Sequence, residues 1–339
     1  MLLAAALIAA TALSSGAAPT TAAARASPDA ATLALLDYLH AQNSTGFVVV
    51  RDGRIVIERY WPAPATDAQF RLMVHGNASG GALLEDVASQ QKSFVAVLVA
   101  VALDKGLIDL GKPVSAYLGQ GWSRASPEQE ASISVDDVLH MASGLDERFG
   151  YVAPAGSAFF YNTPVYAITK RIVAAAAHQP LDTLTRDWLT APVGMTDTDW
   201  RQRPSAMAAV GNATGLVTTP RDIAHFGEMV LGRGIAPNGC RVVSAASLAK
   251  LFAPSATNPA YGRLWWLNGG AWSMRPAVGR REGPLIAAAP TDTVAALGAL
   301  DRKLYVVPSM RLVVVRTGAA AVDRDFDQQL WLRLRRAIG

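Results

Sequence analysis

Residues 85–106, EDVASQQKSFVAVLVAVALDKG, set Ser89 three places ahead of Lys92 at the head of an apolar run. From Phe94 to Leu103 every side chain is apolar. A helix built from them has no solvent face and belongs at the centre of a folded molecule. Gly106 supplies its stop. The chain has six lysines, and one of them stands at the start of this buried helix. One turn separates Ser89 from Lys92, so both share a face. Free N–H groups and the positive end of the helix dipole lie beside the serine. A lysine deprived of water disfavours its charged form and becomes a base. The two residues are a candidate nucleophile and its activator.

The pattern Ser-x-x-Lys is short, and a second copy stands at Ser247-Leu248-Ala249-Lys250. That copy lies in an amphipathic segment, SAASLAKLFAP, with Lys250 expected at a solvated helix end. The apolar surroundings, rather than the pattern, single out Ser89.

Outward from this helix, residues 46–61, GFVVVRDGRIVIERYW, give two β-rich runs around Asp52-Gly53, a hairpin signal. Residues 30–42 repeat with helical period. In SISVDDVLHMASGL (132–145), Ser134 and Asp137 stand in capping-box spacing and Gly144 serves as a stop. Thr163-Pro164 opens a helix to His178, and Thr219-Pro220 opens another to Gly232. The last hundred residues return to strands at YGRLWWLN, DTVAALGAL, KLYVVPS and LVVVRTG, and an amphipathic helix follows over 325–337. This order predicts an α/β (α+β) fold in which both chain ends build one antiparallel sheet flanked by helices. Residues 27–106 and 215–339 form that region, and 107–214 an inserted, mainly helical one.

With 339 residues, 51% hydrophobic and 17% charged, the chain has material for a substantial core. Its net charge of +4 comes from scattered arginines, with no basic block that a nucleic-acid groove would need. Residues 1–26 read as an export signal, with an apolar stretch at 2–13 and a small-x-small site at Ala24-Arg25-Ala26, although no Lys or Arg precedes the apolar stretch. The expected location is secreted or periplasmic, without a membrane anchor. Cys240 is the only cysteine, so no internal disulfide can form, and its turn-like context points to a structural role. The five histidines lack metal-ligand spacing, and HGNASGGALL lacks the lysine and context of a phosphate loop. No metal or organic cofactor is implied. No Gly-x-Ser-x-Gly elbow occurs, which excludes an α/β-hydrolase nucleophile.

The sequence Tyr161-Asn162-Thr163 stands just before the helix that opens at Thr163-Pro164. Together with DVASQQKSF, DKGLIDLGKPVSAYL, SISVDDVLHMASGL, GLVTTPRDIAHFG and NPAYGRLWWLN, it resembles the serine β-lactamase and penicillin-binding superfamily. The likeness is to the class C, esterase and 6-aminohexanoate-dimer hydrolase branch. The resemblance implies a β-lactamase-like fold with Ser89 as acylated nucleophile, Lys92 as its base and Tyr161 as proton shuttle. It places the oxyanion hole at the backbone N–H groups of Ser89 and Ala299 and implies a small ester or amide as substrate.

Two departures from the family pattern bear on specificity. The family's Tyr-x-Asn becomes Tyr161-Asn162-Thr163, leaving Thr163 as a candidate to bond Lys92 or the substrate. Asn162 is a candidate either to touch substrate or, facing away from Tyr161 in an extended segment, to serve structure. The family's Lys/His-Thr/Ser-Gly strand aligns with Ala296-Leu297-Gly298, which lacks cation and hydroxyl, while Gly298 either keeps the strand edge open to substrate or serves close packing. Arg302 or Lys303 can replace the cation, but alternation puts them on opposite faces. Of the adjacent Trp265 and Trp266, one belongs to the core and Trp266 is the candidate to line a pocket. The missing cation shifts the expected substrate toward neutral esters or amides. It also motivates the alternative, a catalytically silent binding or sensor protein for cell-wall peptides.

Overall fold

In a computed structural model that describes residues 29–64 and 67–339, Asp52 and Gly53 both take left-handed φ, 54° and 71°. They close the turn between β1 (Ser44–Arg51) and β2 (Arg54–Tyr60), as a primed two-residue hairpin requires. The export signal expected over 1–26 lies outside the described residues.

The remaining strands are β3 (Val74–Asn77), β4 (Leu83–Asp86), β5 (Asp199–Gln202) and β6 (Thr214–Thr218). They continue with β7 (Trp266–Leu267), β8 (Trp272–Arg275) and β9 (Gly279–Glu282). The last three are β10 (Val294–Gly298), β11 (Arg302–Val307) and β12 (Leu312–Gly318). Among the described residues the long helices are α1 (Ala30–Ala41), α2 (Gln91–Asp104), α3 (Thr163–Ala177), α4 (Pro220–Leu231) and α5 (Phe326–Ile338).

The main sheet runs β2-β1-β12-β11-β10-β7. Its centre joins both ends of the described chain: β1 pairs antiparallel with β12, Ser44 opposite Gly318 and Arg51 opposite Leu312. Every residue of β12 is buried, because both faces of the sheet are covered. That is why its Val-Val-Val run shows no polar alternation. On one face α4 approaches so closely that a Cβ at Gly227 would collide with Val313 and Leu304 side chains. On the other, Tyr305 packs edge-on against Trp331 of α5 at 5.4 Å, and Tyr38 of α1 stacks on Phe326 at 6.1 Å. Leu304 and Tyr305 therefore face opposite ways, as strand alternation demands.

A second, four-stranded sheet, β3-β4-β6-β5, was not legible in the sequence. Its strands are four or five residues long. One of them, β5, lies in the stretch expected to be mainly helical. The segment HGNASGGALL runs from β3 through a turn at 78–82 into β4, with Gly80 and Gly81 at positive φ. Two other expectations are corrected. YGRLWWLN is a strand only at Trp266–Leu267, because Leu264 takes a left-handed φ of 61°. The helix of SISVDDVLHMASGL ends at Leu139, since Met141 turns left-handed at 58° before Gly144 is reached.

Candidate active site

The site grows from the end of β4. Val87 N–H bonds the Leu216 carbonyl of β6 at 3.0 Å, so the chain leaves the small sheet at a fixed point. Ala88 then adopts φ +50°, a left-handed turn that costs a Cβ-bearing residue roughly 1–2 kcal/mol. The Asp86 carboxylate holds that turn by accepting the Ala88 N–H at 2.8 Å. Arg203 grips the same carboxylate twice, Nε to Oδ2 at 2.7 Å and Nη2 to Oδ1 at 2.8 Å. Gly215 makes room for this fork, since a Cβ there would strike the Asp86 carboxylate. Ser89 follows in one 3₁₀ turn, Ala88–Gln90, that leads into α2.

Residues 91–102 of α2 are all buried, as the apolar run demanded. Lys92 is only 2% exposed, and its Nζ lies 3.0 Å from Ser89 Oγ and 3.3 Å from Thr163 Oγ1. The rings of Tyr161 and Tyr166 face the same nitrogen at 4.8 and 4.5 Å. No carboxylate pairs with it among the described residues. Burial foremost, then the charges of Arg203 and Lys170, hold Lys92 well below the ordinary lysine value. The aromatic faces favour the ammonium, but a full loss of hydration outweighs them. The result is an amine able to take a proton from Ser89.

Tyr161 is carried on the segment before α3, where Phe160 N–H bonds the Met141 carbonyl at 2.7 Å. Its ring stacks on Trp266, with centroids 6.0 Å apart, and meets Tyr261 edge-on at 6.2 Å. Burial pushes its phenol up to about 12, while a hydrogen bond with the Ser89 side chain pulls the other way. At neutral pH it is a proton donor to Ser89's neighbourhood rather than a standing phenolate.

Ser89 and Lys92 open onto a cavity of about 370 Å³ whose lining also includes Thr163, Arg203, Asn212 and Ala299, with Tyr161 outside it. Leu72, Met73, Met207 and Val210 give it an apolar wall. A larger cavity of about 710 Å³, walled by Leu231, Phe252, Val294 and Val306, holds no nucleophile beside a base.

Ser89, Lys92, Tyr161 and Thr163 thus come together, and Ala299 stands in the same cavity wall. Other expected contacts fall elsewhere. Asn162 caps α3: its side chain accepts Val165 N–H at 3.1 Å and donates to the Leu145 carbonyl at 2.9 Å, which leaves it committed and 2% exposed. Gly298 serves close packing, since a Cβ would collide with the Val87 carbonyl at the base of the serine turn. Trp266 is buried behind Tyr161 and does not line the cavity. Arg302 is bonded to Glu85 at 3.0 Å, and Lys303 to Asp301 and Asp327 at 3.2 and 2.9 Å, so neither replaces the missing cation.

The second Ser-x-x-Lys does not pair its serine with its lysine, for Ser247 is buried and Lys250 is exposed. Ser247 sits in a six-residue helix with Lys250 exposed at its end, and its hydroxyl serves Asp104. Sequence reasoning missed Asp86, Arg203, Lys170 and Asn212. Of these only Lys170 carried a signal, as a lysine in phase with Tyr166 and Val173 on an apolar helix face.

The β-lactamase family model matches residues 34–281. Penicillin-binding protein 4 of Amycolatopsis lactamdurans is 26% identical over 210 residues, covering 48% of this chain and 54% of that protein. The 6-aminohexanoate-dimer hydrolase of Paenarthrobacter ureafaciens is 25% identical over 274 residues, covering 66% of this chain and 64% of that protein. The chain thus matches between half and two thirds of the length of these relatives. A solved class C β-lactamase superposes with a TM-score of 0.65 at 14% identity, over 91% of this chain and 94% of its own, which shows a shared fold.

Proposed function

The chain belongs to the β-lactamase family, and on that premise we propose that it hydrolyses a neutral ester or amide through an acyl group carried on Ser89. Neutral Lys92 takes the Oγ proton as Oγ attacks the carbonyl carbon. The resulting oxyanion is held by the N–H groups of Ser89 and Ala299, each worth about 3 kcal/mol in reactions of this type. The proton passes through Lys92 and Tyr161 to the leaving oxygen or nitrogen as that bond breaks. Water then adds to the acyl group, gives its proton to the same pair, and Ser89 leaves with a proton restored. Export, expected from residues 1–26, is part of the proposal.

The observation that carries this reading is the 3.0 Å contact between Ser89 Oγ and a buried lysine with no carboxylate partner among the described residues. Neutrality of the substrate follows from the cavity's charges. Apart from Lys92, the cation in its lining is Arg203, which Asp86 already neutralises. The names of the two relatives, a dimer hydrolase and a penicillin-binding protein, agree with acyl chemistry at such a serine.

Intact-mass measurement after treatment with an alkyl fluorophosphonate tests it. One adduct is expected on the native protein and on Ser247→Ala, and none on Ser89→Ala. A folded native protein that takes no adduct would overturn the hydrolase reading in favour of silent binding.

A further inference from the structure

Helix α3 carries a second buried lysine. Lys170 is 7% exposed and none of its hydrogen-bond partners is a carboxylate. Its ammonium donates to Asn212 Oδ1 at 2.6 Å, Thr214 Oγ1 at 2.8 Å and the Thr214 carbonyl at 3.1 Å. Gln91 Oε1 is more distant, at 3.5 Å, and the Trp200 ring lies 4.8 Å away. A lysine ammonium has three protons and no lone pair, so three close oxygens saturate it. That chemistry fixes the Asn212 amide: Oδ1 must face Lys170, and Nδ2 must point away. Asn212 is 3% exposed and lines the cavity that holds Ser89. Its Nδ2 makes no hydrogen bond among the described residues.

We propose that Lys170 is a positioning residue that turns the Asn212 amide so that its N–H donors face the cavity and bond a second carbonyl oxygen of the substrate. The preferred substrate is then a neutral acyl compound with an amide carbonyl beside the group attacked by Ser89. This rests on the hydrolase reading for the identity of that group. The donors reward an oxygen acceptor and are left unpaired by a methylene in its place.

The arrangement is sensitive to pH. Burial, then the charge of Arg203 beyond β5, bring Lys170 down to about 7, against the attraction of Asp86 at the end of β4. Lys92 on α2 is the other nearby amine, and the Tyr166 ring of α3 stands 6.0 Å away. Once neutral, the amine has a lone pair that can accept from Nδ2, and the amide is no longer held one way round.

The test uses full-length Ser89→Ala protein, titrated calorimetrically with the p-nitroanilides of N-acetylglycine and of pentanoic acid. The two acyl groups have equal length, and only the first carries a second carbonyl. The acetylglycyl compound should bind roughly five- to tenfold more tightly. Adding Lys170→Met or Asn212→Leu should bring that ratio to near one. In the parent it should shrink as pH rises between about 6 and about 9, whereas a shift at Lys92 acts on both ligands alike. Equal loss of both ligands in Lys170→Met would overturn the proposal, since a merely structural lysine would act that way. So would a ratio near one in the parent. Should Lys170→Met not fold, the pH series and Asn212→Leu decide the question. Failure of the hydrolase reading shows separately, as a missing fluorophosphonate adduct on native Ser89 with the binding ratio intact.

Discussion

Arg203 acts on the serine at two removes: it fixes Asp86, Asp86 fixes the left-handed Ala88, and Ala88 aims Ser89. It also repels a charge on Lys92. Replacing it by methionine removes a cation and frees a carboxylate, and both changes favour the lysine's charged form. The pH at which Ser89 becomes reactive to fluorophosphonate should therefore move upward in Arg203→Met, with slower labelling at neutral pH. A profile that stays in place would mean that Arg203 is only a strut. Asn162 belongs to stability. Asn162→Ala should cost about 1–2 kcal/mol in a denaturant titration, the loss of a helix cap, while the reactivity of Ser89 persists. The difference between these two residues was not legible in the sequence. Asn162 adjoins Tyr161 in the chain, where the sequence leaves substrate contact and a structural role both open, and the fold makes it a cap. Arg203 stands 114 positions from Ser89, and only the pairing of β4, β6 and β5 brings it near.

Among the elements, the buried helix and the central strands could be read because their burial is written into long apolar runs. Residues 94–102 and 312–315 carry only apolar side chains, and no other placement would leave them dry. The small sheet escaped notice because its strands are too short for a period to show, and its register depends on partners far apart in sequence. Strand β10 shows how an element serves the site without touching substrate. Gly298 lets it press against the Val87 carbonyl, and Ala299 follows it into the wall of the cavity that holds Ser89. Gly298→Val should cost about 1–3 kcal/mol through overpacking. On the proposed mechanism it should also slow the acylation of Ser89, because the N–H groups of Ser89 and Ala299 would part. An unchanged labelling rate in the folded variant would dismiss Ala299 from the hole.

For the whole molecule, two lysines held below their ordinary value leave a mark on stability. When folded, Lys170 sheds its proton near 7, whereas unfolded it does so near 10.5. Between those values the unfolded chain binds more protons, so stability rises with pH across that window. Urea midpoints should increase over that range in the wild type and less steeply in Lys170→Met. No helix among the described residues is long and apolar enough to cross a membrane. Arg316, fully buried on β12, bonds Ser44 Oγ and the carbonyls of Gln42, Leu300, Asp301 and Ala319. It ties the start of β1 to the turn before β11 and the exit from β12. This junction sets a condition on biosynthesis. β1 emerges from the ribosome more than 250 residues before its partner β12, a delay on the order of ten to fifty seconds at usual rates of translation. Through that interval the Phe47–Val50 edge of the hairpin has no strand beside it. A nascent chain halted before residue 302 should therefore be a strong client for chaperones that hold extended apolar segments, and release should follow completion of the last strand.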